Sequence, residues 1–292
     1  MSPLIPAPCA LLPPADLDAQ VRSALHEDVG LGDVTAALVP SEQQVRGQIV
    51  SREAAILCGQ PWVEACFGQL DPHIQLTWHV AEGAPLVPGA LVCTVQGAAR
   101  AVLTGERTAL NFLQLLSGTA TAAHRFAEAL AGTGCTVLDT RKTLPGLRTA
   151  QKYAVRCGGG ANHRMGLYDM VLIKENHILA AGSIGAAVEA ARRLAGGVRI
   201  EVEVESLEEL EQAFAAGPDI VMLDEFSLAD MREAVGRNRA RGRPVQLEAS
   251  GSVSLERIGE IAATGVDFIS VGALTKHVRA VDLSLRLEFQ AP

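Results

Sequence analysis

Aromatic side chains are scarce in this chain, at 4 % of 292 residues. Its core must therefore rest on Ala, Val, Leu and Ile rather than on stacked rings. No apolar run is long enough to span a bilayer, so no membrane association is expected. The stretch "MSPLIPAPCALLPPADLD" has no basic residue ahead of its apolar part and is broken by proline; it reads as a Pro-rich leader over residues 1–15 rather than a secretion signal. The cysteines at 9, 58, 66, 93, 135 and 157 form no CxxC and no metal spacing. That pattern predicts free thiols in a reducing, cytoplasmic compartment. Cations are also in deficit: the net charge of −8 argues against a nucleic-acid surface.

The few cations are concentrated. Between Arg141 and Lys174 lie seven lysines and arginines (141, 142, 148, 152, 156, 164 and 174) against Asp169 alone, which makes this stretch +6 and leaves −14 for the remainder. A cationic island in an acidic protein suits a small anionic ligand better than a polyanion.

Length allows one large or two medium domains. In the first part, "LDAQVRSALHED" has helical spacing, "VRGQIVSREAAILCG" alternates like a strand, and "EGAPLVPGALVCTVQG" reads as a strand pair with Gly/Pro turns. The stretch from Ala98 to Gly132 has the period of a helix, with an interruption expected near Ser117–Gly118. From residue 135 short apolar runs recur at 136–140, 170–176, 198–206, 219–226, 245–250 and 266–274. Helical stretches are predicted at 183–195, 206–216, 227–240 and 252–264, which gives a βα repeat of roughly barrel period.

Each of these runs ends on groups that carry chemistry: Asp139 with Arg141 and Lys142, then Lys174, Glu203, Asp224, Glu248 with Ser250, and Ser270 with Gly272. In an α/β barrel the strand ends converge on one mouth. In "IEVEVE" the acids Glu201, Glu203 and Glu205 share one face and Val202 and Val204 the other. A barrel would turn the acids inward, where they need cations, hydroxyls or a metal; a half-exposed edge strand would turn them out.

"SGS" (250–252) and "VGAL" (271–274) follow consecutive strands, and the first is expected to open a helix. Small residues at such turns let backbone N–H groups approach a phosphate. "CGGGANHR" (157–164) joins three glycines to His163, a proton donor or shuttle, and Arg164, a carboxylate clamp. Lys174 could form a Schiff base, but the acids expected beside it favour a charged lysine and so pairing with an anion. Arg107, on a helix outside the repeat, reads by its own surroundings as a solvated surface residue. Cations, acids and two phosphate turns suit a small dicarboxylate with a phosphorylated sugar; an aldolase-like barrel or a non-catalytic anion sensor would use a similar inventory.

At these residues the sequence resembles the quinolinate phosphoribosyltransferase family. The likeness runs from "EDVGLGDVT" (27–35) through "ERTALNFLQLLSGTAT" (106–121) and the long block 139–178 to "EVEVESLEEL", "VMLDEF", "LEASGSV" and "ISVGALTKH". It implies an N-terminal α/β sandwich domain (16–118), an incomplete, about seven-stranded α/β barrel (119–275), and a C-terminal segment (276–292) returning to the first domain. It implies a homodimer, or an assembly of dimers, in which the first domain of one subunit covers the mouth of the other. The implied reaction joins quinolinate to phosphoribosyl pyrophosphate with Mg²⁺, giving nicotinate mononucleotide, pyrophosphate and carbon dioxide in NAD biosynthesis. A paralogue acting on another pyridine or heterocyclic acid is the alternative. By matching positions, Arg107 (from the partner), Thr140, Arg141, His163, Arg164 and Lys174 would hold quinolinate. Lys142 would meet the phosphates, Glu203 and Asp224 the ribose and Mg²⁺, and Ser250, Gly251, Ser252, Val271, Gly272 and Ala273 the 5′-phosphate. The chain departs from the family pattern at Glu225, where many members have asparagine.

Overall fold

The computed structural model describes residues 11–194, 196–242 and 244–289; most of the leader read at residues 1–15 lies outside them. The chain forms two units: one from residues up to 124 with 143–159 and 274 onward, the other from 125–142 with 160–273. This division cuts the chain more often than a boundary near residue 118 would.

The first unit opens with helix α1 (Leu17–Val29) and strands β1 (Gln44–Ser51) and β2 (Ala55–Ile56). Helix α2 (Gln60–Leu70), β3 (Gln75–Trp78), β4 (Pro85–Leu86) and β5 (Leu91–Ala98) follow, and then α3 (Ala99–Ala129). The second unit begins with β6 (Thr136–Leu138); helix α4 (Arg148–Cys157) groups with the first unit. Strands β7 (Met170–Ile173), β8 (Arg199–Val204), β9 (Ile220–Asp224), β10 (Gln246–Ser250) and β11 (Phe268–Ser270) complete the larger sheet. Between them run α5 (Glu175–Ala181), α6 (Ile184–Leu194), α7 (Leu207–Ala216), α8 (Leu228–Arg239) and α9 (Ile258–Ala262). A last short helix, α10 (Ala273–Lys276), precedes β12 (Leu283–Phe289).

In the first unit the sheet order is β12-β1-β5-β3, and β12 runs antiparallel to β1 from Val45↔Phe289 to Ser51↔Leu283. Its core buries Trp62 and Phe67 of α2, Val21 of α1 and Leu113 and Leu116 of α3, and the Trp62 ring meets Tyr153 of α4 edge-on at 5.2 Å. Two of the few aromatics thus meet at one spot, and apart from Phe67 and Phe112 largely aliphatic side chains fill the rest, as the composition requires. The five cysteines within the described residues are free thiols, and all but Cys157 are buried.

The expected break in α3 does not occur; the helix runs unbroken through Ser117 and Gly118. Both small residues serve close packing instead. The Ser117 hydroxyl donates to the carbonyl of Cys58 and accepts from its N–H, and a Cβ at Gly118 would stand 2.2 Å from the Arg279 carbonyl oxygen.

The second unit carries a six-stranded parallel sheet in the order β6-β11-β10-β9-β8-β7. Strands consecutive in sequence are neighbours from β7 to β11, while β6 lies beside β11 and not beside β7. That is the order of a barrel left open between β6 and β7. Residue Ala161 makes one parallel bridge to Leu138 on that open side, so six regular strands and one bridge stand where about seven strands are expected. No helix among the described residues is long and apolar enough to cross a membrane.

Candidate active site

A cavity of about 290 Å³ opens within the second unit, lined by Thr140, Arg141, Lys142, His163, Arg164, Leu172, Lys174, Glu203, Met222, Asp224, Glu248, Ser250 and Ser270. Apart from Glu248, which lies mid-strand in β10, its polar residues lie near or just beyond a strand's C-terminal end, or in the segment before β7. Parallel strands deliver their ends to one side, so the sheet converts scattered sequence positions into one cluster. The register sets this layer: Glu203 is opposite Met222, Met222 opposite Glu248, and Asp224 opposite Ser250.

The cationic island divides. Arg141, Lys142, Arg164 and Lys174 reach the cavity, whereas Arg148, Lys152 and Arg156 belong to α4 in the first unit, with Lys152 fully buried there. Arg107 lies on α3 and is exposed. A larger cavity of about 400 Å³ in the first unit is lined by Glu27 and Asp28 but by no lysine or arginine. It has nothing to hold a dianion, so the smaller, cationic cavity is the better site.

Two arginines lie close together in that site. Burial, and next the charge of Arg141, pull the Arg164 guanidinium below its ordinary pKa. Arg141 Nε is buried without a hydrogen-bond partner among the described residues. Adjacent guanidiniums with spare donors are stabilised by an anion between them. The preceding loop is fixed from below: the fully buried Asp139 accepts from the His163 N–H at 3.0 Å and from the Asn162 amide, which holds the glycine-rich segment at the strand end.

Lys174, at the end of β7, pairs with Glu203 of β8. Its ammonium has three donors, so this contact leaves others for a ligand. Lys142 lies with its stem against Gly272, where a Cβ would come within 2.9 Å of Lys142 Cδ, and its N–H donates to Thr140 Oγ1. The second small-residue turn is therefore in direct contact with a cation.

The inward turn of the acidic face on β8 is observed for Glu201 and Glu203, with Val202 and Val204 fully buried on the opposite face; Glu205 falls beyond the strand and is exposed. Glu201 and Glu248 are both inaccessible to solvent. His163 Nε2 sits 2.7 Å from Glu201 Oε2 and 3.6 Å from Glu248 Oε2. Sequence reasoning placed Glu248 at a strand end but did not foresee this triad, because only the sheet brings the Gly-rich loop over β8 and β10.

Burial, then the Glu201 charge, pushes the Glu248 carboxyl up to about 8, with His163 and Ser270 opposing. Burial likewise raises Glu201 to about 7, with Arg164 opposing and Glu203 adding to the rise. Both start from 4.5, so between that pH and about 8 the folded chain keeps protons that the unfolded chain has released. Its stability then falls as pH rises through this window. Urea midpoints followed from pH 5 to 8 should decline for the parent and decline less for Glu248→Gln; parallel slopes would show that the pair is ionised throughout.

One expectation needs correction. The turn Ser250–Ser252 does not open a helix, since α9 begins only at Ile258 and has five residues; a turn at residues 255–257 comes first. The helix after Val271–Gly272 has four residues. Any phosphate held at these turns must be held by the turn backbone and by Lys142, not by helix dipoles. At the first turn Gly251 has φ +130°, open only to glycine without strain, and Ser252 Oγ donates to Glu225 Oε1 at 3.1 Å.

Comparison with known proteins places the chain in a family. Residues 33–117 match the family model for the quinolinate phosphoribosyl transferase N-terminal domain, and residues 119–286 that for the C-terminal domain. The nicotinate-nucleotide pyrophosphorylase [carboxylating] of Mycobacterium leprae is 45 % identical over 274 residues, covering 91 % of this chain and 95 % of that protein. The protein of the same name from Homo sapiens is 42 % identical over 281 residues, covering 95 % and 93 %. Among solved structures, the nicotinate-nucleotide pyrophosphorylase from Francisella tularensis superposes with a TM-score of 0.90 at 48 % identity, covering 94 % of this chain and 97 % of that one. With both domain models matched and relatives of this identity along nearly its whole length, the chain belongs to the quinolinate phosphoribosyl transferase family.

Proposed function

We propose that this chain transfers the phosphoribosyl group of phosphoribosyl pyrophosphate to quinolinate and releases carbon dioxide, giving nicotinate mononucleotide for NAD synthesis in the cytoplasm. The observation that carries this reading is the meeting of four cations and three acids (Glu203, Asp224 and Glu248) in one cavity beside two small-residue turns.

The charges fall into two groups. Arg141, Arg164 and Lys174 supply the positive charge that the two quinolinate carboxylates require, with Thr140 and His163 beside them. His163 has one ring nitrogen on Glu201. That contact fixes the ring at the cavity wall. The exposed Arg107 of a partner subunit completes this half in a homodimer. Lys142 meets the phosphates, and the turns at 250–252 and 271–273 take the 5′-phosphate.

Glu203 and Asp224 form an all-oxygen donor pair at the same mouth, which fits a hard divalent cation such as Mg²⁺. When bound, that ion would neutralise charge on the departing pyrophosphate. The pyridine nitrogen attacks the anomeric carbon with its own lone pair, so no general base is required. Carboxylates on the ribose side favour the positive charge that develops there, and Lys142 favours the negative charge on the leaving group. Once ribosylated, the positive ring nitrogen stabilises the electron pair left at C2 as the 2-carboxylate departs as carbon dioxide, and a proton from water takes up that pair, while the arginine pair keeps the 3-carboxylate in place.

Incubation with quinolinate, phosphoribosyl pyrophosphate and Mg²⁺ should yield carbon dioxide and nicotinate mononucleotide in equal amounts. Turnover of nicotinate but not quinolinate would instead assign a paralogous activity, and ligand binding with no product would leave a sensor.

A further inference from the structure

Glu225 is the one non-glycine residue with positive φ among the described residues, at +52°. Left-handed backbone is unfavourable for a side chain of this kind. The conformation is tied to the neighbouring strand end: the Glu225 N–H donates to the Ser250 carbonyl at 3.1 Å. It carries the side chain over the next turn. Ser252 Oγ donates to Glu225 Oε1 at 3.1 Å. The carboxylate lies so flat on Gly251 that a Cβ there would meet Glu225 Cδ at 2.7 Å and Oε2 at 2.8 Å. No lysine or arginine among the described residues pairs with it. A negative group therefore occupies the turn to which the proposed function assigns a phosphate.

We infer that Glu225 is a resident anion on the phosphate turn, displaced when the 5′-phosphate of the sugar substrate enters, and that it thereby sets the affinity of the chain for that phosphate. This rests on the turn being a phosphate site. Two anions cannot share one serine hydroxyl and one glycine face without repulsion, so binding must break the Ser252 contact and move the carboxylate outward. Solvent is open to it there, because Glu225, Gly251 and Ser252 are all exposed. Glu225 is thus a specificity-determining residue that acts against its ligand.

Glu225→Gln keeps the side-chain length and an acceptor for Ser252 and removes the charge. Glu225→Asn gives a residue that tolerates left-handed backbone and is too short to cover Gly251. Both should lower KM for phosphoribosyl pyrophosphate by about fivefold, the scale of one exposed charge contact, and leave KM for quinolinate unchanged. Binding of ribose 5-phosphate to the full chain, measured by calorimetry, should tighten by a similar factor. Unchanged or weaker ribose 5-phosphate binding in both variants overturns the inference. So does a rise in KM for phosphoribosyl pyrophosphate with a greater Mg²⁺ requirement, which would make Glu225 a metal ligand. If the parent fails to turn over quinolinate while the variants still bind ribose 5-phosphate more tightly, the inference stands and the proposed reaction does not.

Discussion

Replacing Lys142 with alanine should lower kcat/KM for phosphoribosyl pyrophosphate by about 10²- to 10³-fold, the loss typical of removing one preorganised donor from a developing negative charge. Binding of quinolinate to the same variant should change little. The asymmetry follows from placement. Lys142 leans over Gly272 and Thr140, on the phosphate side, whereas the neighbouring Arg141 lies within electrostatic reach of Arg164. The two side chains have different neighbours, Gly272 for Lys142 and Arg164 for Arg141, so Arg141 and Lys142 can serve two different anions. Lys142→Met refines the test, because it keeps a stem over Gly272 and loses only the charge. If methionine restores activity that alanine lacks, packing and not charge is the contribution of Lys142. If quinolinate binding falls while phosphoribosyl pyrophosphate use does not, its assignment to the phosphates is wrong. Steady-state rates with each substrate varied, together with calorimetric quinolinate titrations, distinguish these outcomes.

Why most of this site could be read in the sequence is itself physical. Strands β6 to β11 are short and largely buried, and each either ends on a polar residue or is followed at once by one, so the run and its chemical terminus appear together in the text. The valines of β8 face away from its acids, and strict alternation declares both faces. Other features were hidden where that link breaks. Helix α4 buries Gln151 and Lys152 along with Ala150, Tyr153, Ala154 and Val155, so its polar composition masks a helix that packs on nearly every side. Gln151 is accounted for by bonds to the Leu144 N–H and the Thr275 carbonyl, partners that no local pattern reveals. Ser117 and Gly118 look like a helix breaker, yet they answer contacts from Cys58 and Arg279, both distant in sequence. The His163–Glu201–Glu248 cluster likewise exists only once β8 and β10 flank β9 and the loop at 160–164 is anchored on Asp139. Local periodicity reports faces and ends; it does not report which distant group meets them.

Mixing two inactive variants, Arg107→Ala and Lys142→Ala, should restore activity once subunits exchange. Each complete site in the proposed homodimer needs Lys142 from one chain and Arg107 from its partner. In a mixed dimer one site then has both residues and the other has neither. Random pairing makes half of the dimers mixed, and half of their sites are whole, so recovery should approach about one quarter of the parent activity per site. If Arg107 served its own chain, each site of the mixed dimer would still lack one residue and no activity would return. The exposed position of Arg107 on α3 makes this the decisive case. A solvated arginine has no reason to matter for turnover unless another subunit presents a site to it. Fluorescently labelled subunits establish that exchange has occurred. Exchange without recovery would assign the whole site to a single chain, and recovery near one quarter would assign it to two.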